Sequence, residues 1–128
     1  MLAERILFRE TYEGKDFRFA GDQAKLKIAL RNLLTNSIES IRGKGEIRVK
    51  VARRPEHLVV EVEDTGCGIE KEILDRIFEP YFSTKDVGTG LGLPIAKKII
   101  EDHQGSLQIS SEPRKGTKIT IDFPLRKN

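Results

Sequence analysis

Three groups of residues have types and spacings that could do chemistry. Asn32 and Asn36 stand four apart inside a helical pattern, which puts both amides on one helix face. An amide oxygen is a neutral, hard donor, able to complete the shell of a Mg²⁺ whose charge phosphates already balance. Two asparagines inside a helix also cost about half a kcal/mol each relative to better helix formers. At 100° per residue the pair is expected nearly opposite the arc of Leu30, Leu33, Ser37 and Ile41, with Glu39 near the same stripe. A solvated helix face is the plainer account of such a pair.

Asp64 continues the alternation Leu58, Val60, Val62, so its carboxylate is expected on the buried side of a strand end. A buried carboxylate without a donor is costly. Gly66 and Gly68 follow at once and allow close approach to the backbone. The exocyclic amine of a purine would satisfy both features, and so would loop N–H groups of an ordinary turn. The third group is Gly88-Thr89-Gly90-Leu91-Gly92, directly before a helix. Exposed amides and the positive end of a helix together favour an anion. The loop lacks the Gly-Lys-Ser/Thr ending of a P-loop and follows no strand of a βαβ unit, so neither nucleotide fingerprint of those folds applies.

The elements that must position these groups are legible from periodicity. Ile6 to Tyr12 and Phe17 to Ala20 flank Glu13-Gly14-Lys15-Asp16, which predicts a short hairpin. Asp22 can cap a helix carrying Leu26, Leu30, Leu33, Leu34, Ile38 and Ile41, ended by Gly43 and Gly45. Ile47, Val49, Val51 and Leu58, Val60, Val62 alternate as two strands around the Pro55 turn. Ile69, Ile73, Leu74, Ile77 and Phe78 predict a short helix stopped by Pro80, and Ser83 to Gly92 a loop. Pro94 suits the first turn of a helix through Ala96, Ile99 and Ile100 that ends near Gly105. Ser106–Ser111 and Thr117–Phe123 close as a hairpin. The expected class is α+β: a two-layer sandwich in which a mixed, mostly antiparallel sheet of about five strands carries about three helices on one face.

Composition narrows the function classes. With 128 residues and 34% charged side chains the chain suits one domain with one core. No apolar run approaches the roughly 18 residues of a membrane span, and Met1 to Glu10 has no signal-peptide pattern. The lone Cys67 cannot form an internal disulfide, which favours the cytoplasm. The net charge of +3 is spread among both signs and there is no Trp, so nucleic acid is not an expected partner.

Taken in order, Asn32…Asn36, Asp64-x-Gly66-x-Gly68, Phe78-Glu-Pro-Tyr-Phe82-Ser-Thr-Lys85 and Gly88-Thr-Gly90-Leu-Gly92 resemble the boxes of the GHKL superfamily. The match to the ATP-binding catalytic domain of two-component sensor histidine kinases is close and runs from Asp22 to Leu125, including the tail Glu101-Asp-His-Gln-Gly105. The resemblance implies a Bergerat-type ATP-binding fold over residues 1–128, with an ATP lid at about 79–92 and ATP and Mg²⁺ as ligands. It implies that Asn36 holds the metal, Asn32 supports metal or phosphates, and Asp64 accepts from the adenine amine. Gly66, Gly68 and Ile69 would line the base, and Phe78 and Phe82 anchor the lid. Gly88, Gly90 and Gly92 with the following helix would hold the phosphates, Lys85 would touch the γ-phosphate, and Phe82, Thr84, Thr89 and Leu91 would also bind ATP.

In the ATP-hydrolysing members the position of Asn32 is a glutamate that activates water, and an amide cannot take that proton. The resemblance therefore implies transfer to a histidine with slow hydrolysis. Glu39 and Ser40 depart from the basic and aromatic residues frequent in such kinases. The acceptor would lie on a separate helical hairpin, since His57 and His103 read as structural, and a response regulator would be reached only indirectly. A serine kinase resembling anti-sigma-factor kinases, or an ATP-sensing interaction module without chemistry, are the alternatives. The domain itself would not contact a membrane, although its parent could be a membrane-anchored sensor.

Overall fold

The computed structural model describes residues 6–79 and 92–125. The elements run β1 (Ile6–Glu13), α1 (Gln23–Ser40), β2 (Gly45–Arg53), β3 (His57–Asp64), α2 (Lys71–Leu74), α3 (Gly92–Asp102), β4 (Ser106–Glu112) and β5 (Gly116–Pro124). The strands form one sheet in the order β1-β2-β3-β5-β4. Only β1 and β2 are parallel; the other neighbours are antiparallel. This is the mixed, mostly antiparallel open sheet that the sequence predicts.

Strand alternation explains the two faces. Val60 lies opposite Ile121, Val62 opposite Ile119 and Leu58 opposite Phe123, with Ile109 and Leu107 on the far side of β5. All of these except Val62 pack with Ala29 and Leu33 of α1 and with Ala96, Ile99 and Ile100 of α3 in the main core. A smaller cluster of Ile41, Ile47 and Val62 lies under the end of α1. The opposite face is polar and laced with ion pairs: Arg48 between Glu46 and Glu63, Lys118 to Glu61 at 3.4 Å, and His57 to Asp122 at 2.6 Å. Arg48 and Arg9 together hold the Glu46 carboxyl below its ordinary range, Arg48 contributing most. Pairs this exposed add little stability individually.

The N-terminal hairpin does not form. β1 runs parallel to β2 for its full length, from Ile6 beside Gly45 to Glu13 beside Ala52, and residues 17–20 are not a strand. Gly14 at φ +100 and Asp16 at φ 60 turn the chain away from the sheet edge. Arg18 bonds the Asp16 carboxylate, which holds its pKa down to about 2. Phe17 then meets Tyr12 edge-on at 5.7 Å, and Phe19 lies against Phe123 at 4.5 Å. Burial of these rings over the core competes with hairpin pairing and wins, because β2 supplies β1 with a complete ladder through the α1 crossover.

α1 starts where Asp22 predicts: its Oδ1 accepts from the Lys25 N–H at 3.1 Å. The helix ends at Ser40, ahead of the glycines, with Ile41 already extended. Its buried stripe is Ala29, Leu33 and Ser37, while Leu30 and Ile38 are 38% and 41% exposed. The predicted helix at Ile69–Phe78 is helical only at Lys71–Leu74. Gly92 opens α3, and Pro94 sits in its first turn. No helix of the described residues is long and apolar enough to cross a membrane.

Candidate functional site

Asn32 and Asn36 border the buried stripe of α1 instead of opposing it, which corrects the expected geometry. Measured from Leu33, Asn36 is about 60° round the helix and Asn32 about 100°. Both are half-buried. The sequence pattern misplaces them because Leu30 counts as core by type, whereas α1 actually turns Ala29 and Ser37 inward. The asparagine side faces the start of α3: a Cβ placed on Gly92 would lie 3.9 Å from both Cβ and Cγ of Asn32. Asn32 thus lies beside the first turn of α3, with Asn36 one helical turn further along the same side of α1.

Asp64 closes β3 on the inner face, opposite Ile47 on one side and Thr117 on the other, and is 4% exposed. Its Oδ1 accepts from the Gly66 N–H at 2.9 Å, the loop bond that a turn requires. That bond uses one oxygen. Among the described residues the other makes no bond, and no side-chain oxygen there is both buried and unpaired, so Oδ2 keeps a solvent-facing lone pair.

The loop after Asp64 is clamped on both sides. Cys67 N–H donates to the Ser40 carbonyl at 3.0 Å, fixing the loop to the end of α1. The Arg114 N–H donates to the Cys67 carbonyl at 2.6 Å, fixing it to the β4–β5 turn. Ile69 N–H donates to Ser111 Oγ at 2.8 Å, and that oxygen bonds the Gly116 carbonyl and the Thr117 hydroxyl in turn. Neither glycine admits a side chain. A Cβ on Gly66 would stand 2.0 Å from Ser40 Oγ, and one on Gly68, at φ +72, 1.9 Å from the Glu112 carbonyl oxygen. Sequence reasoning singles out the glycines and notes Ser40 only as a departure from the kinase pattern; the bonds of Ser111 and Thr117 arise from the β4–β5 pairing, which gives them no separate signal in local spacing.

Phe78 is half-buried, with the Lys97 ammonium of α3 4.9 Å from its ring centroid, a cation–π contact that ties the α2 segment to α3. Phe82, Thr84, Lys85, Gly88, Thr89, Gly90 and Leu91 lie outside the described residues, as does most of the expected lid. The described residues contain no cluster of His, Cys, Asp and Glu able to hold a metal. Oxygen donors of the asparagine kind remain the candidates.

Residues 21–127, which contain this whole arrangement, match the family of histidine kinase-, DNA gyrase B- and HSP90-like ATPases. The chain belongs to that family. Sporulation kinase A of Bacillus subtilis is 40% identical over 94% of this chain, and the histidine-protein kinase AtoS of Escherichia coli 37% identical over 81%. The chain spans only 20% and 17% of the lengths of those two relatives. Among solved structures, the catalytic domain of histidine kinase ThkA superposes with a TM-score of 0.85 at 33% identity, covering 95% of this chain and 82% of that one. The mycobacterial sensor histidine kinase MprB gives 0.84 at 28% identity, covering 98% and 85%. The architecture of this ATPase-family domain is therefore that of histidine-kinase catalytic domains.

Proposed function

We propose that this domain binds ATP·Mg²⁺ and passes the γ-phosphoryl group to a histidine on a separate helical hairpin. The observation that carries the reading is Asp64: a carboxylate almost wholly buried, with one oxygen committed to Gly66 and the other open to an N–H donor. An adenine amino group supplies that donor, and the clamped Gly66–Gly68 backbone forms the floor beneath a planar base. Asn36, with Asn32 a turn earlier, offers neutral oxygens on the side of α1 that faces the start of α3. Those amides fit a cation partly neutralised by phosphates better than carboxylates would. The metal, when bound, offsets negative charge building on the phosphoryl oxygens.

Asn32 cannot act as a base toward water. The domain's own residues therefore bind and orient, and the nucleophile has to be supplied by a partner. Lys85, Thr84 and the Gly88–Gly92 run would complete the phosphate contacts, with the amides at the start of α3 adding partial positive charge. Phe78, held by Lys97, would anchor the near end of the lid, and Phe82 its interior.

Incubation with ATP·Mg²⁺ and a separately produced acceptor hairpin tests this. Transfer should give label that is acid-labile and alkali-stable. Acid-stable label would mean a serine acceptor. Tight ATP binding with no transfer to a competent hairpin would make the domain a nucleotide sensor.

A further inference from the structure

Beyond the C-terminal end of α1 lies a cleft of about 210 Å³ lined by Ser40, Arg42, Lys44, Arg114 and the Thr65–Cys67 stretch. It shares the Gly66–Cys67 backbone with the loop that follows Asp64, but none of Asn32, Asn36, Asp64, Gly68 or Gly92 lines it. Asn32 is eight residues before Ser40, about 12 Å along the helix. Two connections contribute its cations: the α1–β2 connection supplies Arg42 and Lys44, and the β4–β5 turn supplies Arg114.

None of these three side chains makes a hydrogen bond or ion pair with another described residue. Of the carboxylates near in the chain, Glu46 pairs with Arg48 and Arg9, Glu112 pairs with Lys115 at 3.2 Å, Glu39 has an interaction of its own, and Asp64 is buried and bonded to Gly66. The negative end of α1 attracts cations, but it amounts to only about half an elementary charge against three. The hydroxyls add direction. Ser40 spends its proton on the Ser37 carbonyl, whereas Thr65 Oγ1 accepts from the Glu46 N–H at 2.9 Å and keeps its own proton to donate. The Arg114 backbone is fixed by its bond to Cys67, so this guanidinium starts from a defined point.

We infer that this cleft binds a small phosphate-class polyanion, distinct from the triphosphate of the nucleotide. Two guanidinium forks and an ammonium suit tetrahedral oxyanions, which accept bidentate bonds from arginine. A volume of about 210 Å³ suits a free di- or triphosphate. The cleft meets the nucleotide reading only at the Gly66–Cys67 backbone; neither the Asp64 carboxylate nor the asparagine pair takes part.

The test is a titration of the isotopically labelled domain with inorganic pyrophosphate in magnesium-free buffer, followed by amide resonances. Saturable shifts at Arg42, Lys44, Thr65 and Arg114 are expected. An Arg42→Gln, Arg114→Gln double variant should weaken pyrophosphate by roughly tenfold or more, with binding of an ATP analogue unchanged. Shifts that do not saturate, or that centre on Gly92 and the asparagines, would overturn the inference, as would undiminished affinity in the double variant. If ADP moves the four amides and pyrophosphate does not, the source is a nucleotide and the free-polyanion form is wrong. A parallel titration with the ATP analogue reads the Asp64 corner separately, so the two sites can fail independently.

Discussion

The Nε2 atom of His103 accepts a hydrogen bond from the backbone N–H of Asp22 at 2.9 Å, across 81 positions of sequence. Its Nδ1 pairs with the Ile99 carbonyl at 2.8 Å, so the ring carries its proton on Nδ1 and is neutral. One imidazole therefore bolts the start of α1 to the end of α3, the two helices that flank the candidate site.

Replacing His103 by Ala should cost about 1–3 kcal/mol, because the Asp22 N–H loses its acceptor, while the Ile99 carbonyl loses the ring and keeps only the backbone N–H of residue 103. Urea unfolding at neutral pH measures this. A midpoint unchanged from the parent would mean that water replaces the ring at no cost and the bolt is dispensable.

For Asp64→Asn, the Gly66 N–H can keep its acceptor, so the fold should survive. The second oxygen position becomes a donor or loses its charge, and adenine nucleotide affinity should fall by about 10- to 100-fold. Calorimetry with a non-hydrolysable ATP analogue decides. Equal affinity would remove base recognition from this residue.

Asn36→Asp places a full negative charge where phosphates are expected. Nucleotide binding without metal should drop modestly, and magnesium-dependent transfer should fall by about 100-fold or more. Single-turnover assays across a magnesium series would show it. Transfer that stays fast at every magnesium concentration would place the metal elsewhere.

Gly68→Ala forces a methyl against the Glu112 carbonyl at a positive φ, and neither backbone can yield cheaply. Destabilisation of about 2 kcal/mol or more is expected. Thermal unfolding tests it, and a melting temperature within error of the parent would show that the β4–β5 turn can move aside at little cost.

How far these features are legible in the sequence depends on whether local or distant partners fix them. The Asp22 cap, β2, β3 and the β4–β5 hairpin follow from periods and turn residues that act within a few positions. The parallel seating of β1 does not, because it is decided by Phe17 and Phe19 finding Tyr12 and Phe123. At the candidate site, the glycines and Asp64 are conspicuous by type. The rotation of α1 that brings Asn32 toward Gly92 is not, since it depends on Ala29 and Ser37 being the residues small enough to face the sheet and α3. His103 shows the same limit, since helix-end position explains its presence and nothing local reveals Asp22 as its partner.

The strand order β1-β2-β3-β5-β4 has a temporal side. β5 is the last strand in chain order yet holds an interior place, with β3 on one flank and β4 on the other. During synthesis β4 leaves the ribosome with no neighbour to zip onto, and one edge of β3 stays unpaired until β5 slots between them. Completion of the sheet thus waits on the β3–β5 pairing, whose partners are distant in sequence, and such pairing is slow and leaves strand edges exposed to aggregation.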